Sequence, residues 1–294
     1  TADLDNNGKD DIVVVTESDD LILAIFDDGS FNILFDGNEK FRSSPTIAMV
    51  NGNPLIFAGS DDGHFYAVNS NGDVIFDFQT DDKIRTASTF ASTDNGLVIF
   101  TASYDGKLYS LNSNGSLQDG WPVDTGSSII VDPIITDLDG DNLPEIITGN
   151  ANGLLVAYHM DGSVVDGFPL QSGFGFSGSI LSNDIDNDGD IELTMGTNII
   201  LSSFDIKTSS ESIEGWEMHR GNLRRNGFYS PQSSSAGDMN QDELLNILDI
   251  VLLINVIMSN EPTAVQLTAG DLNQDGILNV LDIVILVNLI LAQE

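Results

Sequence analysis

The chain has 294 residues, with 46 Asp or Glu against 10 Lys or Arg, a formal net charge of −36 and no cysteine. This balance argues against nucleic-acid and anionic-membrane binding, because phosphate groups are bound by Lys and Arg. The missing cysteines exclude disulfides, thiolate metal sites and cysteine nucleophiles, and the 41% hydrophobic content argues against a disordered chain.

A repeat with steps of 43, 43 and 47 residues runs through the first three quarters of the chain. Four copies and a fifth, weaker copy are Leu23–Gly29, Tyr66–Gly72, Tyr109–Gly115, Val156–Gly162 and Leu201–Lys207. Each unit reads as four short runs rich in Val, Ile, Leu and Phe, separated by Gly-, Asn- and Asp-rich turns. Such units predict a mostly β fold, a partial β-propeller of about five visible four-stranded blades.

The predicted strands are clearest in the second and fourth units. They are Pro45–Val50, Leu55–Gly59, His64–Asn69 and Val74–Phe78 in the second unit, and Ile129–Thr136, Glu145–Thr148, Leu154–Tyr158 and Val164–Pro169 in the fourth. The first unit begins at Asp11 without an inner strand, and Asn222–Ser230 lacks the apolar alternation needed to replace it. We therefore expect an open propeller edge, with further blades encoded upstream of Thr1.

Three acidic loops in the repeat region share one spacing, with oxygen-bearing side chains at positions 1, 3, 5 and 9 and a backbone carbonyl at position 7. The candidate ligands are Asp3, Asp5, Asn7, Lys9 and Asp11; Asp137, Asp139, Asp141, Leu143 and Glu145; and Asp184, Asp186, Asp188, Asp190 and Glu192. Ca²⁺ prefers about six to eight oxygen ligands, so the spacing predicts one ion in each loop. The alternatives are acidic turns without a metal and general surface acidity.

These loops, together with the Tyr66–Gly72 type of strand, resemble the FG-GAP/VCBS-type repeats of calcium-bearing β-propellers, mixed with PQQ-like features. The resemblance covers residues 1–228. It implies that the ions are structural staples on the rim of the blades.

Residues 229–236 form a Ser-rich linker before a second domain at residues 237–294. Two twelve-residue loops lie there 33 residues apart, each followed by an apolar run that predicts a helix, Ile250–Met258 and Ile283–Leu291. Their EF-hand-like spacing gives as candidate ligands Asp238, Asn240, Asp242, Leu244, Asn246 and Asp249, and Asp271, Asn273, Asp275, Ile277, Asn279 and Asp282. The spacing predicts two more calcium ions. The ion in the first loop is expected to bind less tightly, because Glu243 stands at loop position 6, where the second loop has Gly276.

The doubled loop closely resembles a type I dockerin domain, a small all-α calcium-binding module. The resemblance implies a cohesin module as partner, bound through loop positions 10 and 11 and the helix that follows. Those residues are Ile247, Leu248, Asn255, Val280, Leu281 and Asn288. Because the two copies are nearly identical, either helix could serve the partner. A calcium-stapled helix pair without a partner is the alternative.

Other conspicuous residues have structural interpretations. His64 and His159 are expected on strand surfaces, and Trp121, Phe168 and Trp216, at the blade period, are expected to pack between blades. The basic group Arg220, Arg224 and Arg225 is expected to pair with blade carboxylates rather than to bind phosphate or an acidic glycan. The sequence shows no cluster of Lys, Arg, His or Tyr that would mark a base beside an acidic sugar.

The sequence therefore favours a secreted, non-catalytic, calcium-binding protein. Its propeller would recognise a carbohydrate or a surface protein, and its dockerin-like module would tether it to a cohesin. No segment predicts a membrane span, since the most apolar stretch, Ile247–Met258, is too short. The alternative is a propeller-based polysaccharide lyase or glycoside hydrolase, suggested by the enzymes that dockerins usually accompany. A quinoprotein dehydrogenase is disfavoured because the chain has no cysteine pair.

Overall fold

The computed structural model describes residues 1–5, 7–93, 96–141, 143–186, 188–209, 220, 226–230, 237–239, 245–259, 266, 269–273 and 277–291. The chain divides into two compact units, Thr1–Pro231 and Gln232–Glu294.

The described part of the first unit contains 19 strands. They are β1 (Ile12–Val15), β2 (Leu21–Ile25), β3 (Phe31–Asp36), β4 (Thr46–Val50), β5 (Asn53–Gly59), β6 (His64–Asn69), β7 (Val74–Gln79), β8 (Thr89–Thr93), β9 (Gly96–Ala102), β10 (Lys107–Asn112), β11 (Val123–Asp124), β12 (Ile134–Thr136), β13 (Glu145–Gly149), β14 (Leu154–Tyr158), β15 (Leu170–Gln171), β16 (Phe176–Asn183), β17 (Asp190–Thr197), β18 (Leu201–Ser209) and β19 (Phe228–Tyr229).

Consecutive strands pair antiparallel into five sheets, which are the blades of a β-propeller architecture. The sheets are β1–β3, β4–β7 with β19 added, β8–β11, β12–β15 and β16–β18. The glycines that define the repeat close equivalent hairpin turns. In the second sheet, for example, Asn69 donates to the Asp73 carbonyl at 3.0 Å, and Gly72 supplies the positive φ of 90°. The mostly β propeller fold predicted from the repeat is confirmed.

The predicted strands fit the second unit well and fail in part of the fourth. Residues 129–133 lie outside β12, because Pro133 has no N–H to donate to a neighbouring strand. The strand predicted at Val164–Pro169 is wrong. Phe168 N–H donates to the Val165 carbonyl at 3.1 Å and closes a turn, so that β15 begins only at Leu170.

The last strand of the first unit pairs with the second sheet and not with the first. Phe228 and Tyr229 run parallel to Ile47 and Ala48 of β4. The Tyr229 hydroxyl donates to Ser92 Oγ at 3.0 Å. The first sheet has three described strands, and the described residues 226–230 of the Asn222–Ser230 segment do not supply its missing inner strand.

Three clusters of buried side chains hold the blades together. The first joins sheets one and two through residues such as Ile22 and Ile56; the second joins sheets two to four, and the third joins sheets four and five. Among the described residues, no such cluster connects the fifth sheet with the first. The packing role of Trp121 is confirmed: its ring centroid lies 5.5 Å from that of Phe100 and 6.2 Å from that of Tyr158.

Two further predictions concern the same motif. Phe168 is partly buried against the cluster of sheets four and five, as expected of a packing residue. Trp216 lies outside the described residues.

The second unit contains two described helices, α1 (Ile247–Ser259) and α2 (Val280–Leu291). Both begin three residues earlier than predicted, because Asn246 and Asn279 act as N-caps: their Oδ1 atoms accept from Leu248 N–H at 2.8 Å and Leu281 N–H at 2.9 Å. Among the described residues, no helix is long and apolar enough to cross a membrane. Among the described residues of this unit, the buried core includes Met239, Leu253, Val256, Ala269 and Leu286.

Candidate metal centres and docking surface

The position-9 carboxylates of the three propeller loops are buried, and each accepts an equivalent hydrogen bond within its own loop. Asp11 directly precedes β1, Glu145 begins β13 and Glu192 is the third residue of β17. Each accepts from the N–H of loop position 2. The pairs are Leu4 with Asp11 Oδ2 at 2.8 Å, Leu138 with Glu145 Oε2 at 2.7 Å, and Ile185 with Glu192 Oε2 at 2.6 Å. This bond closes each loop on itself and leaves the other carboxylate oxygen available.

That second oxygen provides a test of whether the loops fit a cation. Asp11 Oδ1 and Glu192 Oε1 are buried and have no hydrogen-bond partner among the described residues. A buried polar atom without a partner costs on the order of 1–3 kcal/mol, and more when it is charged. A bound cation would remove this cost, so both loops fit a calcium ion.

The carboxylates at positions 1 and 3 gather around the same point. In the first loop Asp3, Asp5 and Asp11 offer oxygens within 4.8 Å of one another, and in the third loop Asp184, Asp186 and Glu192 do so. Backbone N–H groups fold the loops around position 1: Asp3 accepts from Gly8 at 2.8 Å, as Asp184 does from Gly189 at 3.1 Å.

Positions 5 and 7 are less uniform. In every loop the backbone N–H of position 7 donates to the side-chain Oδ1 of position 5. The pairs are Lys9 to Asn7, Leu143 to Asp141 and Asp190 to Asp188, at 2.9, 2.7 and 3.0 Å. The side chains at position 7 point to other partners or to solvent, since the Lys9 ammonium pairs with Asp27 and Leu143 is exposed. Only the backbone carbonyls of these residues could therefore be ligands.

A residue outside the Asp137 loop contacts it, and sequence analysis missed this contact. The loop carboxylates Asp137, Asp139 and Asp141 form one group, and Asp139 and Glu145 form a second group with His159. His159 Nδ1 lies 3.2 Å from Glu145 Oε1, the oxygen whose counterparts in the other loops are unpartnered. His159 is half-buried, and its ring faces the loop instead of serving only as strand surface.

Burial is the main cause that raises the pKa of Glu145 to about 7. The neighbouring carboxylate of Asp139 raises it further, while the Leu138 N–H and His159 oppose the shift. The register shows how His159 could have been found. Ile146 pairs with Tyr158, so the residues next to them, Glu145 and His159, face each other.

The two loops of the second unit close in the same manner as the propeller loops. Asp249 and Asp282, at position 12, are fully buried, and each accepts from the N–H groups of positions 2 and 9. Met239 and Asn246 donate to Asp249 at 2.9 and 2.8 Å, and Leu272 and Asn279 donate to Asp282 at 3.0 and 2.9 Å.

The other predicted ligands of these loops are described only in part. Asp238 is buried, Asp271 and Asn273 are near their loop's entry, and Ile277 is exposed. Asn240, Asp242, Leu244 and Asp275 lie outside the described residues.

The six predicted docking residues are all exposed, on or beside the two helices. Ile247, Leu248, Val280 and Leu281 are 71%, 55%, 65% and 56% exposed. Asn255 and Asn288 are exposed further along α1 and α2. Large apolar side chains exposed in corresponding places on two helices are typical of a protein-binding surface.

Three basic side chains of the propeller lie around one carboxylate and one aromatic ring. Arg85 donates to both carboxylate oxygens of Asp61, at 2.7 and 2.8 Å. Arg42 Nε lies 2.7 Å from Glu17 Oε1 and 3.4 Å from the Asp61 carboxylate. Lys83 and Arg85 lie 4.6 and 5.5 Å from the ring centroid of Tyr104. We call Arg42, Asp61, Lys83, Arg85 and Tyr104 the basic cluster.

The signal for this cluster was in the sequence. Lys40-Phe41-Arg42 recurs as Lys83-Ile84-Arg85 after 43 residues, the step of the repeat. Arg220, by contrast, donates to the carbonyls of Pro45 and Asn226, both at 3.4 Å, and not to a described carboxylate. Its predicted ion pair is therefore wrong within the described part, and Arg224 and Arg225 lie outside it.

Comparison with known proteins gives a family match for the C-terminal region. Residues 236–291 match the family model for the dockerin type I domain. No significant match was found among curated protein sequences. The C-terminal region is thus a dockerin type I domain, which implies a modular, cohesin-binding protein.

Similar solved structures include BBS1N in complex with ARL6DN, which is 13% identical with a TM-score of 0.48 and covers 71% of this chain and 62% of that one. BamB from Moraxella catarrhalis is 15% identical with a TM-score of 0.48 and the same coverages. The WD40 propeller domain of Doa1 is 13% identical with a TM-score of 0.47, covering 74% and 67%. The chain spans less than two thirds of the first two structures.

Proposed function

We propose that the protein is a secreted, calcium-binding modular protein without catalytic activity. Its dockerin domain attaches it to a cohesin module of a surface or assembly, and its propeller presents a recognition surface. The single observation that carries the proposal is the pair of matching exposed apolar sites at the helix starts of a region that matches the dockerin family.

Calcium is proposed in five loops, three in the propeller and two in the dockerin domain. When bound, the ion supplies the positive charge that these clustered carboxylates lack. In the propeller it would be held by the side chains of positions 1, 3, 5 and 9. In the dockerin domain Asp249 and Asp282 would close the loops around it, since each is already oriented by two N–H groups.

The recognition surface of the propeller is proposed at the basic cluster. It contains three of the chain's ten basic residues, two of them over an aromatic ring, in a molecule of net charge −36. Arg and Lys beside a ring suit a carbohydrate that carries carboxylate or sulfate groups, because the cations meet the acid and the ring packs on the sugar. The repeats themselves are proposed to be of the FG-GAP/VCBS type.

A polysaccharide-degrading enzyme is the second candidate, and Tyr104 is the observation that favours it. Lys83 and Arg85 lie over its ring, and its hydroxyl would be the group that exchanges a proton with an acidic sugar. The substitution Tyr104→Phe separates the two functions. It should leave glycan binding within about threefold if the site only binds, and it should abolish product formation if the site is catalytic.

Binding of the full chain to purified cohesin modules of different types, measured by calorimetry, tests the attachment. Ile247→Asp with Leu248→Asp, or Val280→Asp with Leu281→Asp, should each leave one usable helix. All four substitutions together should weaken binding at least about 30-fold, the loss expected for an interface hot spot. Ile200→Asp, an exposed apolar position in the propeller, is the control. Retained binding by the fourfold variant, with its calcium-dependent helix intact, would contradict the proposed surface.

A further inference from the structure

The three propeller loops differ in the residue that faces position 9 across the sheet. In the third loop Glu192 pairs with Asp205, whose carboxylate binds the Lys207 ammonium. In the first loop the strand register places Phe26 beyond the Ile12–Ile25 pair, opposite Asp11. Only the Asp137 loop, in the described part of the propeller, places an imidazole there.

The imidazole changes the donor set from oxygen alone to oxygen and nitrogen. His159 Nδ1, a Glu145 oxygen and an Asp139 oxygen lie within 4.8 Å of one another. Two ligands bound to one zinc ion at about 2.0–2.2 Å in tetrahedral geometry are themselves roughly 3.4 Å apart. The observed 3.2 Å between His159 Nδ1 and Glu145 Oε1 is close to that spacing.

The other contacts of these side chains leave the required atoms accessible to an ion. The Leu138 N–H occupies Glu145 Oε2, so Oε1 is the oxygen that faces the imidazole. The Asp141 N–H donates to Asp139 Oδ1 at 3.3 Å, and Oδ2 lies outside that bond. Glu145 is fully buried, while Asp139 is exposed and His159 is half-buried, so the group has one anchored and two reachable ligands.

We propose that Asp139, Glu145 and His159 form a site for a transition-metal dication of the Zn²⁺ or Co²⁺ type. Imidazole nitrogen suits these ions, whereas Ca²⁺ takes oxygen ligands. Because the site uses Asp139 and Glu145 of the calcium loop, the two kinds of ion exclude each other there. Water or Asp137 would complete the coordination. The inference does not depend on cohesin or glycan binding.

The second histidine–carboxylate pair of the propeller provides an internal control. His64 Nδ1 contacts the carboxylate of Asp77, but this pair belongs to none of the groups that could hold a metal in the described chain. If an imidazole beside a carboxylate were enough to bind zinc, His64 and His159 would behave alike. The proposal requires them to differ.

The first experiment uses the wild-type full chain, labelled with ¹⁵N and kept in calcium. The chain has only three histidines, so their ring signals can be followed separately. Addition of one equivalent of ZnCl₂ should shift the His159 ring nitrogens to metal-bound values and leave His64 unchanged. An unshifted His159, or an equal shift of His64, would overturn the proposal.

The second experiment measures Co²⁺ affinity from the visible absorption of the bound ion. His159→Gln should weaken binding at least about tenfold, since even the loss of an outer-shell partner of a metal site costs about 10–100-fold. His64→Gln should bind as wild type does, and the calcium-dependent melting of His159→Gln should persist at the other loops. Unchanged Co²⁺ affinity in His159→Gln would overturn the site. Should that variant fail to fold, the wild-type zinc titration decides alone.

Discussion

The propeller and the dockerin domain close their acidic loops with the same bond, yet they have very different cores. In both, a buried carboxylate at the last ligand position accepts the N–H of position 2, as Asp11 does from Leu4 and Asp282 does from Leu272. The propeller loops extend from sheets joined by three large clusters of buried residues. The described part of the dockerin domain has a single cluster of five buried hydrophobic residues.

This difference teaches what a calcium ion can do in each setting. A domain of about 60 residues without disulfides is marginal on its apolar burial alone. Ion binding in such a domain is folding energy, because the site does not exist in the unfolded chain. In the propeller the same ion would only fasten a loop to sheets that are already held together.

Calcium removal should produce the largest effect and sharpen the comparison most. In excess chelator, the full chain should lose most of its helical circular dichroism signal, because α1 and α2 both lie in the second unit. The β signal of the propeller should remain, and added calcium should restore the helix. Helix that persists in chelator would show that α1 and α2 fold on apolar packing alone.

Substitution of a closing carboxylate in the dockerin domain should have the next largest effect. Asp282→Ala removes the acceptor of two backbone N–H groups and one candidate ligand, so the domain should lose roughly 3–5 kcal/mol of stability in calcium. Between the entry residues, Asp271→Ala should impair calcium-induced helix formation more than Asp238→Ala, because Glu243 weakens the first loop. Equal losses would remove the expected difference between the loops.

Substitution of a candidate calcium ligand in the propeller should lower stability less, and only when calcium is present. Asp186→Ala should lower the melting temperature of the propeller by an amount equivalent to about 1–2 kcal/mol in calcium and by almost nothing in chelator. Asp19→Ala, an exposed carboxylate outside the loops, is the matched control. Equal shifts of Asp186→Ala in both conditions would mean that the loop binds no ion.

The smallest effect concerns a contact that needs no calcium. The hydrogen bond from Arg85 is the main cause that lowers the pKa of Asp61 below its ordinary value of 3.8. The pair therefore stabilises the fold fully at pH values above 3.8, and this stabilisation is lost as the pH falls through the lowered pKa. Arg85→Met should cost about 1 kcal/mol near pH 6, with or without calcium, and the cost should shrink below pH 4. Urea unfolding at several pH values measures it, and Arg85→Lys should recover part of the loss.

The parts of this structure that could be predicted from sequence are those set by local pattern. The repeat glycines mark hairpin turns, and β6 and β14 have the predicted bounds because their short, nearly continuous apolar runs end at clear turn residues. The strand at Val164–Pro169 failed because the Asp166-Gly167 turn and Pro169 interrupt an otherwise apolar run.

The residues that sequence analysis missed depend on contacts between strands. His159 reaches Glu145 across 14 residues, and Arg85 reaches Asp61 across 24. Neither separation is a motif spacing, since each arises from strand register or from the placement of successive blades. The repeat of Lys-x-Arg was visible, but its convergence on Asp61 and Tyr104 was not.

The central claim is that each of the five loops closed by a buried carboxylate binds one calcium ion, and a direct count of bound ions tests it. Equilibrium dialysis of the full chain against millimolar calcium, followed by metal analysis, should give about five ions per chain in the absence of zinc. Asp11→Asn, which keeps the shape of the side chain but removes its charge, should give about four. A count of two, unchanged in Asp11→Asn, would contradict the propeller sites and confine calcium to the dockerin domain.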